Sequence, residues 1–147
     1  MLTGSYFWEE SDMLRIEDEL KNNQISRFQL LYGEERYMVQ YYRNQLIEKL
    51  SNSDDEMNRT FFRDKPEPSQ IAEAAQILPF FAENRLIVVE DSGYFKSSSD
   101  MADYVESFPE TTYIIFVERE IDKRNRLFKF DNFWSGNKHL ADFINDK

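Results

Sequence analysis

Two hydrophobic rhythms alternate along this chain. One is a set of short, continuous apolar runs bounded by turn residues. The other is a set of longer segments whose apolar positions recur every three or four residues. Such runs read as strands and such spacings as helices. The first helical segment sets Met13, Ile16 and Leu20 on one side against Glu17, Asp18 and Glu19 on the other, with Asp12 as its expected N-cap and Asn22-Asn23 as its end. Residues 1–11 carry no clear period. Arg27-Phe28-Gln29-Leu30-Leu31-Tyr32 predicts a buried strand stopped by Gly33. From Glu34 to Leu50 the spacing predicts a long helix: Val39, Tyr42, Leu46 and Leu50 trace one stripe, widened by Met38 and Ile47. Glu34 and Glu35 lie in its first turn, where the helix dipole favours acids.

After the polar loop 51–55, Met57 to Phe62 predicts a second, shorter strand, and Pro66 and Pro68 punctuate the next loop. Ser69 is the expected N-cap of a helix with Ile71, Ala74, Ala75 and Leu78 on one face. Pro79 has no N–H and its ring clashes one turn back, so that helix is expected to stop near Leu78. Arg85 to Glu90 predicts a third strand, turned by Asp91-Ser92-Gly93. Ser97, Ser98 or Ser99 then caps a helix with Met101, Ala102, Val105 and Phe108 inward, closed by Pro109. Thr112 to Val117 predicts a fourth strand and Lys123 to Phe130 a short basic helix. Residues 131–147 read as irregular, with a candidate last strand at Leu140-Ala141-Asp142-Phe143.

Strands and helices alternate, and strands three and four are apolar throughout, as strands buried on both faces are. The expected fold class is therefore α/β, a mainly parallel sheet of about five strands with helices on both faces. A length of 147 residues suits one domain with an adequate core, and no linker or repeat divides it.

Charge and composition narrow the chemistry. Twenty-eight acidic residues against 18 basic ones give a formal charge of −10. This argues against the domain alone holding a nucleic-acid backbone or an anionic membrane surface. There is no cysteine and one histidine, His139, so disulfides, thiolate metal sites and histidine-pair zinc sites are excluded. No run approaches the roughly 18 apolar residues of a membrane span, and the acidic N-terminal stretch does not resemble a signal peptide. A cytoplasmic location is expected.

In an open α/β sheet the first strand–helix turn is the usual ligand site. Here Gly33 fits the first glycine of the phosphate-binding G-x-x-x-x-G-K-[ST] pattern. Met38 stands where the second glycine would be, Val39 where the lysine would be, and Gln40 where the hydroxyl would be. No lysine charge reaches a β- or γ-phosphate, and Glu34 and Glu35 would repel one. Glu90-Asp91 resembles the acidic end of a magnesium-holding strand, but without a phosphate cradle it reads as a solvated turn. Glu118-Arg119-Glu120 and Asp122-Lys123-Arg124 read as exposed mixed charge, and the basic set Lys123, Arg124, Arg126 and Lys129 as a wet face. No nucleophile–base arrangement is visible. No catalytic residue, cofactor or metal is expected.

The unusual stretch is Leu78-Pro79-Phe80-Phe81-Ala82-Glu83-Asn84. Connections normally carry polar residues, yet two phenylalanines stand here side by side. Either they fold back onto the core, or they form an apolar plug for a partner.

Three stretches resemble one family, in the right order and spacing: Leu30-Leu31-Tyr32-Gly33-Glu34-Glu35 opening a long helix, Leu78 to Val89, and Thr111 to Glu118 followed by Asp122-Lys123-Arg124. The family is the delta subunit of the bacterial DNA polymerase III clamp loader, and the resemblance covers residues 12–130. It implies an AAA+-like domain without a functional P-loop, and a non-catalytic wrench that helps to open the sliding clamp during DNA replication. It further implies that Leu78, Phe80 and Phe81, on a turn shaped by Pro79, insert into a pocket on the clamp. Full-length members continue into lid and collar domains, absent here, so contacts with other loader subunits are expected only in a full-length context and contact with DNA only indirectly. Residues 1–11 and the tail 131–147 do not match. The rival readings are a P-loop ATPase and a generic acidic interaction module with both phenylalanines buried.

Overall fold

A computed structural model describes residues 10–33, 35–51 and 56–129, with the side chains of residues 10–15 left aside. In chain order the elements are α1 (Glu10–Asn22), β1 (Phe28–Tyr32), α2 (Arg36–Leu50), a 3-10 turn at Glu56–Asn58, β2 (Arg59–Arg63), α3 (Pro68–Ala75), β3 (Arg85–Glu90), α4 (Met101–Val105) and β4 (Thr112–Glu118). The four described strands form one sheet in the order β1-β4-β3-β2, and every neighbouring pair is parallel. The fold class is α/β as expected, with four strands among the described residues. The candidate fifth strand near Leu140 lies outside them.

The sheet separates two cores. On one face Leu31, Leu86, Val88, Ile115 and Val117 pack with Ile16 of α1 and Val39, Tyr42 and Leu46 of α2. On the other, Phe28, Leu30, Ile87, Val89, Ile114 and Phe116 pack with Ile71 and Ala75 of α3 and Met101 and Val105 of α4. Alternation along β3 and β4 therefore buries both sets of side chains, which is why their sequences are apolar without a period. Leaving water contributes roughly 1.5–3 kcal/mol per large apolar side chain, so these strands anchor the domain.

The element ends show where local signals yield to tertiary contacts. Asn23 takes φ +58° and closes α1, as Asn often does at a helix C-terminus. That helix begins at Glu10, so Asp12 lies inside it and is not its N-cap. Ser99 Oγ accepts from the Met101 N–H at 3.3 Å, ahead of α4. Ser69 is not an N-cap: Glu67 holds that position and Pro68 opens α3, where a missing N–H costs nothing. The expected extension of α3 to Leu78 is also corrected. The helix ends at Ala75, because the Ala74 carbonyl accepts from Arg85 Nε at 2.9 Å and the Ala75 carbonyl from Thr112 Oγ1 at 2.7 Å. Both acceptors are taken up by strand side chains, and the Ala74 carbonyl also accepts from the Ile77 N–H at 3.3 Å in a single tighter turn, so no further α-helical turn follows. The basic helix expected from Lys123 is absent as well. Residues 121–129 form turns, with Asn125 Oδ1 accepting from the N–H groups of Leu127 and Phe128, so a side chain replaces helical carbonyls.

Phe116 packs between Tyr94 and Phe95, with ring centroids 6.2 and 5.1 Å away. Phe116→Ala is expected to destabilise the domain by about 3–5 kcal/mol, read as a lowered urea midpoint. An unchanged midpoint would contradict the two-core packing.

Candidate functional site

The chain from Gln76 to Asn84 leaves α3 and enters β3 as an exposed turn carrying large apolar side chains. Leu78 is 65% exposed, Phe80 53% and Phe81 93%. Ile77 belongs to the same patch and is exposed too, because α3 stops early; the helical spacing had no way to reveal it. Pro79 sits half-buried between them. The Phe80 and Phe81 rings meet edge to face at 4.4 Å, an attractive aromatic geometry. Phe81 holds φ +56°, a left-handed conformation that costs a non-glycine residue on the order of 1–2 kcal/mol. Strain of this kind persists only where the surroundings enforce it, and it clusters at functional sites. The buried-plug alternative of the sequence, with both rings in the core, is therefore not what the chain adopts.

Two buried polar side chains brace this turn, and neither was singled out from the sequence. Arg85 is nearly inaccessible; besides Ala74 it reaches the Met57 carbonyl at 3.2 Å and Thr60 Oγ1 at 2.7 Å. Burial pulls its pKa below the ordinary arginine value. Asn58 binds the backbone of Phe80 on both sides: Nδ2 donates to the carbonyl at 2.8 Å and Oδ1 accepts from the N–H at 2.5 Å. The only sequence signal available was a polar residue at a strand edge in each case.

The first strand–helix turn is built differently. Gly33 is buried at φ +134°, a conformation suited to glycine, and Glu35 occupies the N-cap of α2 without a side-chain cap bond. Met38 packs against the core, Val39 is sealed inside it and Gln40 is half-buried. The lysine position of a phosphate cradle is thus occupied by a core side chain. Glu34 lies outside the described residues.

The acidic strand ends also differ from their expected solvated state. Glu90 is largely buried and ion-pairs with Arg43 Nε and, at 3.1 Å, with Arg63 Nη2, tying α2 to β2. Asp91 faces Arg119 at 3.7 Å. Glu118 is 2% exposed. It accepts from Ser92 Oγ at 2.7 Å and from the N–H groups of Ser92 and Gly93 at 3.3 and 3.2 Å. Burial nevertheless pushes its pKa up to about 7, outweighing those bonds. Arg119 and Glu120 are exposed, as expected, and so are Lys123, Arg124, Arg126 and Lys129. A cleft of about 520 Å³ opens beside these strand ends, lined by Asp64, Lys65, Asp91, Lys96, Glu118 and Arg119. With Glu120, which also lines it, four acids face three bases. Among the described residues no group of His, Cys, Asp and Glu is placed to hold a metal ion, and no helix is long and apolar enough to cross a membrane.

Residues 29–132 match the family model described as DNA polymerase III, delta subunit. The chain belongs to that family. The family match spans both the first strand–helix turn and the aromatic turn. Among solved structures, the fold matches the Bacillus subtilis DNA clamp loader delta protein (YqeN) with a TM-score of 0.69 at 20% identity, covering 80% of this chain. This chain spans 39% of that protein's length. No match was found among curated proteins.

The Glu118 carboxyl has a direct consequence for stability. Its folded pKa of about 7 lies above its ordinary value of 4.5, so the folded state binds the proton more tightly. Its contribution is therefore present at low pH and is lost as pH rises through 7. That component amounts to about 3 kcal/mol at most. Glu118→Gln is expected to flatten the fall in stability between pH 5 and pH 8, measured by urea denaturation at each pH. An unaltered pH profile would show that Glu118 does not titrate there.

Proposed function

We propose that this domain is a non-catalytic clamp-loader wrench: it binds the DNA polymerase sliding clamp through the apolar turn and helps to open the clamp ring during DNA replication. The observation that carries this reading is the exposure of Leu78, Phe80 and Phe81 on a strained, braced turn in a chain of the delta subunit family. Adjacent apolar anchors entering a pocket on a partner contribute about 2 kcal/mol or more each. Such a plug requires no charge attraction, which suits a chain of charge −10. Binding opens the ring only if the turn has greater affinity for the open or strained clamp than for the closed one, since a ligand shifts an equilibrium by its differential affinity alone.

The degenerate P-loop at Gly33, Met38, Val39 and Gln40 supports a role without nucleotide chemistry, because phosphoryl transfer depends on a positioned cation that Val39 does not supply. The partners in this reading are the sliding clamp directly, other loader subunits in the full-length context, and DNA indirectly. The compartment is the cytoplasm, where replication proteins of this kind work.

Simultaneous replacement of Leu78, Phe80 and Phe81 by Ala is expected to leave the melting temperature nearly unchanged, because exposed side chains contribute little to stability. The same variant is expected to lose capture by the cognate clamp in a pull-down, each anchor being worth roughly thirtyfold in affinity. Undiminished capture would refute the plug. Titration with ATP and magnesium is expected to show no saturable binding. Saturation would return the chain to the P-loop ATPases.

A further inference from the structure

The aromatic turn raises a question of its own: what keeps a hydrophobic, strained segment in one shape before it meets a partner. Among the described residues, 78–83 make no backbone-to-backbone hydrogen bond. Left to itself such a segment would sample many conformations, and ordering it on binding would subtract from affinity. The Asn58 carboxamide occupies this gap. It is buried at the end of the 3-10 turn before β2, 22 residues from Phe80 in sequence, and binds both backbone polar groups of Phe80. One donor and one acceptor on a planar amide match the N–H and C=O of a single residue, as a neighbouring strand would. The platform is itself fixed, since Arg85 holds the Met57 carbonyl next to Asn58 and the Ala74 carbonyl at the end of α3. The three chain segments that meet at the turn are thus locked to one another by buried side chains.

We infer that Asn58 is a positioning residue for partner binding: it pre-forms the turn, holding Phe80 so that the next residue, Phe81, is forced into its left-handed conformation with both rings projecting outward. This rests on the clamp-binding reading above and specifies how the site is made ready. Asn58 need not touch the clamp. Asp has the size of Asn but carries no amide donor, and it sets a carboxylate against the Phe80 carbonyl. Asn58→Asp therefore removes the donor half of the brace and sets a charge against the Phe80 carbonyl, with little change in volume.

The test uses the full chain and the cognate sliding clamp in a calorimetric titration. Three results are expected together. Asn58→Asp weakens binding by roughly tenfold or more, the worth of one or two hydrogen bonds. In hydrogen-exchange NMR the Phe80 amide, protected in the parent, exchanges freely in Asn58→Leu, which has neither donor nor acceptor, while the Val88 and Ile115 amides stay protected. The affinity cost of Asn58→Asp shrinks when Phe81 is already Ala, since residues acting through one another are not additive. A purely structural role would give a cost that persists in the Phe81→Ala background. That result, or unchanged affinity in Asn58→Asp, overturns the inference and leaves the clamp reading intact. Failure of the parent chain to bind the clamp overturns the clamp reading itself, and the inference with it. Should Asn58→Asp fold poorly, the parent protein still decides: a Phe80 amide exchanging as fast as those of Phe81 and Ala82 shows that no brace exists.

Discussion

A parallel sheet in this fold must be covered on both sides, and that requirement shapes everything else in the domain. β3 and β4 lie in the middle of the sheet order, and their side chains enter two separate cores. With α1 and α2 on one face and α3 and α4 on the other, β1, β3 and β4 are buried almost throughout, and the edge strand β2 keeps Phe61 exposed. In a sheet of this kind sites for partners form at strand ends and connections. The aromatic turn is one such connection, and it faces outward because the interior is already filled by Ile71, Ala75, Val105 and Phe116.

The turn is held by buried polar groups rather than by burial of its own side chains. Arg85 stands at the start of a strand that is otherwise apolar, and removing its guanidinium would leave carbonyls at Ala74 and Met57 without this donor. The same contact that shortens α3 therefore frees Ile77 and Leu78 from the helix and adds them to the exposed patch. Strain at Phe81 is the counterpart, an unfavourable backbone conformation maintained by favourable contacts elsewhere.

Charge plays a different part at the opposite ends of the strands. Glu90 and Glu118 are drawn into the structure, one by two arginines and one by the Ser92-Gly93 turn. Neither is free to hold magnesium as a nucleotide site would require. At the first turn, Val39 in the core leaves an apolar side chain at the lysine position of a phosphate cradle. The negative charge of the chain is then a property of its wet surface, consistent with recognition by apolar contact.

The hydrophobic rhythm alone determined the class of fold, the parallel character of the sheet and the inward faces of α2 and α4. These follow from periodicity and from continuous apolar runs, which are local records of how many sides of an element are covered. The stop after Leu78 and the solvated acids at Glu90 and Glu118 differ in the structure because each outcome depends on a partner distant in sequence, whereas the Ser69 cap and the basic helix at Lys123 yield to the local competitors Pro68 and Asn125. Arg85 and Thr112 end α3, Asn125 replaces helical acceptors, and Arg43 and Ser92 bury the carboxylates. The candidate site divides the same way. Its apolar residues and its proline were legible as an anomaly in the chain, whereas the Asn58–Phe80 brace and the outward aim of the rings exist only once segments 22 residues apart are brought together. A hydrogen bond between distant residues leaves no period in a sequence, so tertiary structure alone could decide it.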